Sequence, residues 1–432
     1  MPQAQPARIL SVDVLRGLVV TLMIFVNDLS SAASAPRLFL HLPAEADGMS
    51  IADLVFPAFL FIAGMSIPLA LGKVHAGALG RADALRRIGV RVLCLLAMGV
   101  VMVNADEHDP WGGGLWGACA YACLFATFCV VPEEPGRART VLRRLRWGGA
   151  LCLCALVFAY RGPGGEALVF GPLLGETGGA WLRHSWWGIL GQIGWAWGVA
   201  ALVYLLVGRR REWLLAGVFL LVLTFHASHA GLGTFLAGRS WLAPFLPVLQ
   251  FIAAPLAVID SHVGLSTTLG TLSALTLAGT ALGTLLVGPQ AEADGPARLR
   301  WALGFAGVLF LAGLLLDAPH GIGKIRATPA FTLYCGALTS LAWAGLFAWL
   351  DLGRRAFPSA WVQPAGANPL LAYLLHPFLC LLVGLAGARV EQWVFFYRAL
   401  PWWGVCLGSL VVALAIVRLS GWLARAGLRL KV

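Results

Sequence analysis

Phe25-Val26-Asn27-Asp28 closes one long apolar run, and Ala52-Asp53-Leu54-Val55-Phe56-Pro57-Ala58-Phe59-Leu60-Phe61-Ile62 opens the next. Between them lies a short polar loop carrying His41, Glu45 and Asp47. Two such runs flanking a loop read as a helical hairpin in a bilayer. Ionisable side chains are costly at that depth, so a histidine, an asparagine and several carboxylates gathered at one end of the hairpin mark a candidate functional site.

Apolar runs of similar length recur along the whole chain, which is 59% hydrophobic and only 12% charged over 432 residues. No soluble domain of this size hides so much apolar surface, whereas a bilayer solvates it. The alternating short segments of a transmembrane β-barrel are absent from the sequence. The fold class expected is therefore all-α: a polytopic transmembrane bundle of about twelve helices, forming one integral-membrane domain over residues 1–432. The spans fall near 14–34, 50–72, 88–105, 112–131, 147–160, 186–207, 213–230, 263–287, 301–317, 329–350, 367–387 and 402–423. The apolar stretch Trp241–Val258, with three prolines, reads as a re-entrant or interfacial segment. The N-terminal apolar run carries Asp13 and Arg16 and lacks a cleavage signal, so it reads as a retained helix.

The net charge of +11 is explained by topology before any anionic partner such as nucleic acid. Counting connections alternately, 23 of the 31 basic residues fall on one side. The other side holds only Arg37, Arg161, Arg183, Arg239, Lys324, Arg326, Arg389 and Arg398. This asymmetry places both termini in the cytoplasm. The nine cysteines lie in or beside apolar segments without metal-type spacing and read as small buried hydrophobes. His226 and His229 share a helix face, but no third ligand has suitable spacing, so no metal is expected.

Several motifs resemble the heparan-α-glucosaminide N-acetyltransferase family, in particular its bacterial branch linked to amino-sugar use. They are Arg8-Ile-Leu-Ser-Val-Asp-Val-Leu-Arg-Gly17, Met23-Ile-Phe-Val-Asn27 and Asp47-Gly-Met-Ser-Ile-Ala-Asp-Leu-Val-Phe-Pro57. Trp186-Trp-Gly-Ile-Leu-Gly-Gln-Ile-Gly-Trp195, Lys324-Ile-Arg-Ala-Thr-Pro329 and Gly366-Ala-Asn-Pro-Leu-Leu-Ala-Tyr-Leu-Leu-His376 follow in the same order. The resemblance implies acetyl transfer across a membrane, from cytosolic acetyl-CoA to the amine of a glucosamine-type sugar on the periplasmic face. It also implies a bacterial inner-membrane location, lipid surroundings and a homodimer. The family's active histidine and asparagine fall on His41 and Asn27. Gly191-Gln192-Ile193-Gly194 lacks the arginine of the lysosomal branch, so an amino sugar rather than heparan itself is the implied acceptor.

Amide formation from a thioester needs a base for the amine proton and a donor for the oxyanion. Imidazole, titrating near about 6.5, suits the first role; His41 is the candidate base or transient acetyl carrier, and Asn27 the orienter or oxyanion donor. Asp28, Asp47 and Asp53 either bind a cationic amino sugar, hold His41, or cap and brace the second helix. Arg16 pairs with Asp13 or lines the entrance for CoA. Asn368, Tyr373 and His376 line the acyl-CoA path or bond between helices. The arginine groups 86–91, 143–146 and 209–211 are alternative phosphate contacts. Two other readings share the architecture. One is a secondary transporter for sugars or amines, which would neither bind acetyl-CoA nor release thiol. The other is O-acetylation of a polysaccharide.

Overall fold

The computed structural model describes residues 9–75, 77–162, 187–229, 255–256, 258–287, 294–355 and 359–431. Its helices are α1 (Leu10–Leu29), α2 (Ile51–Met65), α3 (Ile67–His75), α4 (Arg81–Glu107), α5 (Leu115–Phe128), α6 (Arg137–Ala159), α7 (Gly188–Val207) and α8 (Arg211–His229). They continue as α9 (Ser273–Gly283), α10 (Gly295–His320), α11 (Pro329–Leu346), α12 (Gln363–Ala367), α13 (Pro369–Leu385), α14 (Ala388–Val394) and α15 (Trp402–Arg425). The chain is all-α and polytopic: among the described residues nine spans are long and apolar enough to cross a membrane, and no strand forms beyond one isolated bridge between Cys129 and Leu430. Leu151, Leu206 and Leu315 lie exposed on these helices, an arrangement that acyl chains solvate and water does not.

Each of the twelve expected spans contains a helix among its described residues, but α6 is not one of the nine long and apolar enough to cross a membrane. α5 and α13 are the shorter apolar helices. The fifth stretch, expected from Trp147, begins earlier: α6 starts at Arg137, so the arginine-rich connection is itself the first half of a helix. Trp241–Val258 lies almost wholly outside the described residues.

Helix starts follow local chemistry. Thr328 accepts a hydrogen bond from the Phe331 amide (3.4 Å), and Asn368 from the Leu371 amide (3.3 Å), each followed by proline at the first helical position. Proline there loses an amide that has no helical partner anyway.

The contacts gather into two compact units interleaved along the chain. One contains Met1–Leu15, His41–Val92 and Ile193–Phe357; the other Arg16–Leu40, Leu93–Gln192 and Pro358–Val432. In the first unit α9 is the central helix; the span Thr267–Leu286 is 94% buried. It packs on α2 through missing side chains: a Cβ on Gly64 would strike the Thr276 carbonyl, and one on Gly279 the Phe61 carbonyl. Small residues let the backbones approach, the way helices associate when lipid removes a hydrophobic drive between them. The threonines this leaves inside are satisfied by their own helix, Thr276 to Leu272 O (2.9 Å) and Thr280 to Thr276 O (3.0 Å). In the second unit Gly17 is used likewise against the Val362 carbonyl, and α13 packs on α5 and α15.

Long-range contacts test the charge-derived sidedness inside each unit. In the first, Gly48 N donates to Ile322 O (2.9 Å), joining two connections assigned outside. The Leu10 and Ser11 amides donate to Asp351 (3.3 and 3.1 Å), and His75 meets Tyr204 O (3.2 Å), both pairs assigned inside. In the second, Ser34 donates to Leu400 O (2.7 Å) outside, and Val130 N to Arg429 O (2.7 Å) inside. Each of these contacts joins ends that alternate counting puts on one side.

The close approach of α2 and α9 makes a checkable prediction. Gly279→Ala destabilises the protein by about 1–3 kcal/mol, because its Cβ meets backbone that has no rotamer to yield. Gly307→Ala, on open helix surface, is neutral or stabilising by up to about 1 kcal/mol. Thermal unfolding of the two variants in detergent reads the difference.

Candidate active site

Asp53 is the third residue of α2, where the first-turn amides lack partners. Ser50 caps the helix by accepting from the Asp53 amide (3.1 Å), and the Ser50 amide donates back to Asp53 Oδ2 (3.1 Å), a reciprocal capping box. Ser50 Oγ (3.0 Å) and the Leu42 amide (3.3 Å) also donate to Oδ2. One carboxylate oxygen is thus committed to the fold. The other, Oδ1, faces His41 Nδ1 at 2.9 Å, so a side chain with 0% exposure holds a ring that is 44% exposed. Nε2 of His41 has no hydrogen-bond partner among the described residues.

Lys324 completes the cluster. Its Nζ lies 2.8 Å from His41 Nδ1 and 3.7 Å from Asp53 Oδ1. The turn carrying it is pinned on several sides. Ile322 N donates to Asp47 Oδ1 (2.7 Å), Thr328 Oγ1 to Gly321 O (2.8 Å), and Thr271 Oγ1 to Ala327 O (2.6 Å). Ala327 takes φ 45°, a left-handed conformation that a side chain accepts only when surroundings impose it. Burial draws the Lys324 ammonium below the ordinary lysine range, against the pull of the Asp53 charge.

The sequence candidates thus separate. His41 and Asp53 come together. Asp47, expected as a cap of α2 or a substrate ligand, is not the cap, which is Ser50; its Oδ1 receives the Ile322 amide, and the residue is exposed. Asp28, Asn27 and the later candidates belong to the second unit. Asp28 is wholly buried and accepts from Tyr397 OH (2.7 Å) and Arg398 Nη2 (3.1 Å), with His376 Nε2 at 3.5 Å. Burial together with this carboxylate pushes the Tyr397 phenol above its ordinary range, keeping it a donor. Asn27 is half-buried one residue earlier. Arg16 Nη1 reaches Gly366 O (3.3 Å), Asn368 caps α13, and Tyr373 is half-buried on the same helix. His226, weighed with His229 as a ligand pair, bonds His320 instead, Nδ1 to Nε2 at 2.9 Å. Among the described residues no three metal-ligating side chains lie together.

Lys324, Tyr397 and Arg398 escaped the sequence reading as site residues. A signal existed: Lys324 and Arg398 are two of the few cations on the charge-poor side, and Lys324 is one of three lysines in the chain.

Comparison with known proteins bears on the stretch that holds His41 and Asp53. Residues 8–106 match the model of the catalytic region of heparan-alpha-glucosaminide N-acetyltransferase. The human protein of that name is 36% identical over 103 residues, which are 24% of this chain and 15% of the human one. The mouse protein is 35% identical over 99 residues, 23% of this chain and 14% of its own length. The matched region is thus a small part of those relatives. Over residues 8–106, which carry Asn27, His41 and Asp53, this multi-pass membrane protein resembles the catalytic region of the heparan-alpha-glucosaminide N-acetyltransferase family.

Proposed function

We propose that the protein is a transmembrane N-acetyltransferase, one integral-membrane domain in the bacterial inner membrane, active as a homodimer. It moves acetyl from cytosolic acetyl-CoA to the amine of a glucosamine-type sugar at the periplasmic face. The observation that carries the reading is the His41–Asp53 pair inside the matched stretch: a buried carboxylate holds Nδ1, and Nε2, on a half-exposed ring, has no partner among the described residues.

In this reading Nδ1–H donates to Asp53 Oδ1, and Nε2 carries the lone pair. The amine nitrogen attacks the thioester carbonyl, and the C–S bond breaks as the C–N bond forms. Nε2 takes the amine proton, and the departing sulfur is finally protonated to free thiol. Asp53 steadies the transient imidazolium, as a buried carboxylate does for a catalytic histidine elsewhere. For Asn27, which belongs to the second unit, the proposed role is oxyanion donor or orienter of the amine. Asp28, Asp47 and Asp53 are the carboxylates proposed to attract the sugar's ammonium; of the three, Asp47 is exposed, whereas Asp28 and Asp53 are buried among protein partners.

Arg16 and Asn368 lie at the ends of α1 and α13 that charge counting assigns to the cytoplasm, where CoA phosphates would arrive. Tyr373 and His376 follow along α13, which rises about 1.5 Å per residue, and line the acetyl path. CoA need not cross the membrane.

Incubating purified protein with acetyl-CoA and glucosamine, while following free thiol and sugar mass, tests the reading. Thiol release with the mass gain of one acetyl group on glucosamine upholds it. Absence of thiol release from folded protein returns the transporter reading, and acetylation of a hydroxyl the O-acetyltransferase one. His41→Ala lowers kcat about 10²–10⁴-fold with folding intact. Asp53→Asn, whose amide would donate to Nδ1 and force the proton onto Nε2, gives a fall of about the same order, read in the same thiol assay.

A further inference from the structure

Nδ1 of His41 stands between two groups that ask opposite things of it. It is 2.9 Å from Asp53 Oδ1 and 2.8 Å from Lys324 Nζ. A ring nitrogen makes one in-plane hydrogen bond: Nδ1–H donates to the carboxylate, or bare Nδ1 accepts from the ammonium. The first arrangement leaves the lone pair on Nε2, and the second puts the proton there. A ring carrying both protons is a cation, which Asp53 favours and a lysine at this distance opposes.

Lys324 cannot drift away at will, because its turn is held through Ile322, Ala327 and Thr328. Among the described residues, Asp47 and Arg326 each approach Gly321 at this corner, and Cys335 of α11 lies near Asp53. Lys324 is the cation placed against the ring nitrogen.

We propose that Lys324 is a positioning residue that keeps the His41 ring neutral at pH values where Asp53 unopposed would hold it as imidazolium. Its significance for turnover rests on the acetyl-transfer reading, in which a ring already protonated accepts nothing from the amine. The lysine acts through the histidine and touches no substrate.

Diethyl pyrocarbonate attacks neutral imidazole, so the pH dependence of His41 carbethoxylation, read by peptide mass spectrometry on the full chain in detergent, reports the ring directly. In Lys324→Met the rise of His41 modification moves to higher pH by at least about one unit. In Lys324→Arg, which restores the cation, it stays near its wild-type position. The acid limb of kcat/KM for thiol release moves with it. An unmoved or lowered midpoint in Lys324→Met, with normal elution and helical circular dichroism, overturns the proposal. Lys324→Gln is the second neutral variant where the methionine disturbs folding, and it must give the same upward shift. The modification needs no acetyl donor. A shifted curve in a protein that releases no thiol therefore upholds the role of Lys324 and counts against acetyl transfer alone.

Discussion

A carboxylate sealed from water must be met by donors on nearly every lone pair, and Asp53 organises the first unit around that requirement. Its Oδ2 gathers Ser50 and Leu42, which fixes where α2 begins and how the preceding loop enters it. Its Oδ1 then has no nearby backbone donor left and takes a side chain from the loop. The polar loop is consequently folded back onto the helix start. The same carboxylate draws in Lys324 from a turn 271 residues away in sequence, and Asp47 ties that turn down.

Asp28 shows the same constraint in the second unit. It too is fully buried, and it too recruits partners from a distant connection, Tyr397 and Arg398, together with His376 of α13. Two unit charges about 4 Å apart interact by about 4 kcal/mol at the effective dielectric of such sites, so leaving either carboxylate unpaired would cost a large share of a membrane domain's stability. The chemical difference lies in what remains available. Both clusters include an imidazole, but His376 beside Asp28 is 12% exposed, whereas His41 beside Asp53 is 44% exposed.

Helix positions were legible in the sequence because bilayer thickness sets the length of an apolar run, and the cationic bias of alternate connections gives sidedness without any knowledge of packing. His41 and Asp53 were legible through the motif that holds them and the cost of ionisable groups beside apolar runs. Their partners were not. Lys324 meets His41 because α10 and α11 return their connection to the start of α2, and no periodicity along one helix says which other helix lies beside it. Ser50 displaced Asp47 from the cap for a local reason: a cap must sit immediately before the first helical residue, and only Ser50 does. The early start of α6 has a similar cause, since arginine is a good helix former and continues the helix out of the apolar run.

Division of labour between the two oxygens of Asp53 links fold to chemistry at a single residue. The capping box makes the position of the carboxylate independent of His41, because Oδ2 is held by backbone and by Ser50 whatever the ring does. Oδ1 is therefore presented to the loop at a fixed point, and the histidine is oriented by a rigid helix end rather than by the loop's own conformation. The backbone turn that carries Lys324 is held by a separate set of bonds. Both neighbours lie within hydrogen-bond reach of Nδ1, and which of them it bonds depends on whether that nitrogen carries a proton. A carboxylate alone would trap the charged ring; a lysine alone would fix the proton on the outward nitrogen. Held together about one nitrogen, the two bias the ring's charge in opposite directions, a balance that suits the proton-accepting role proposed for His41.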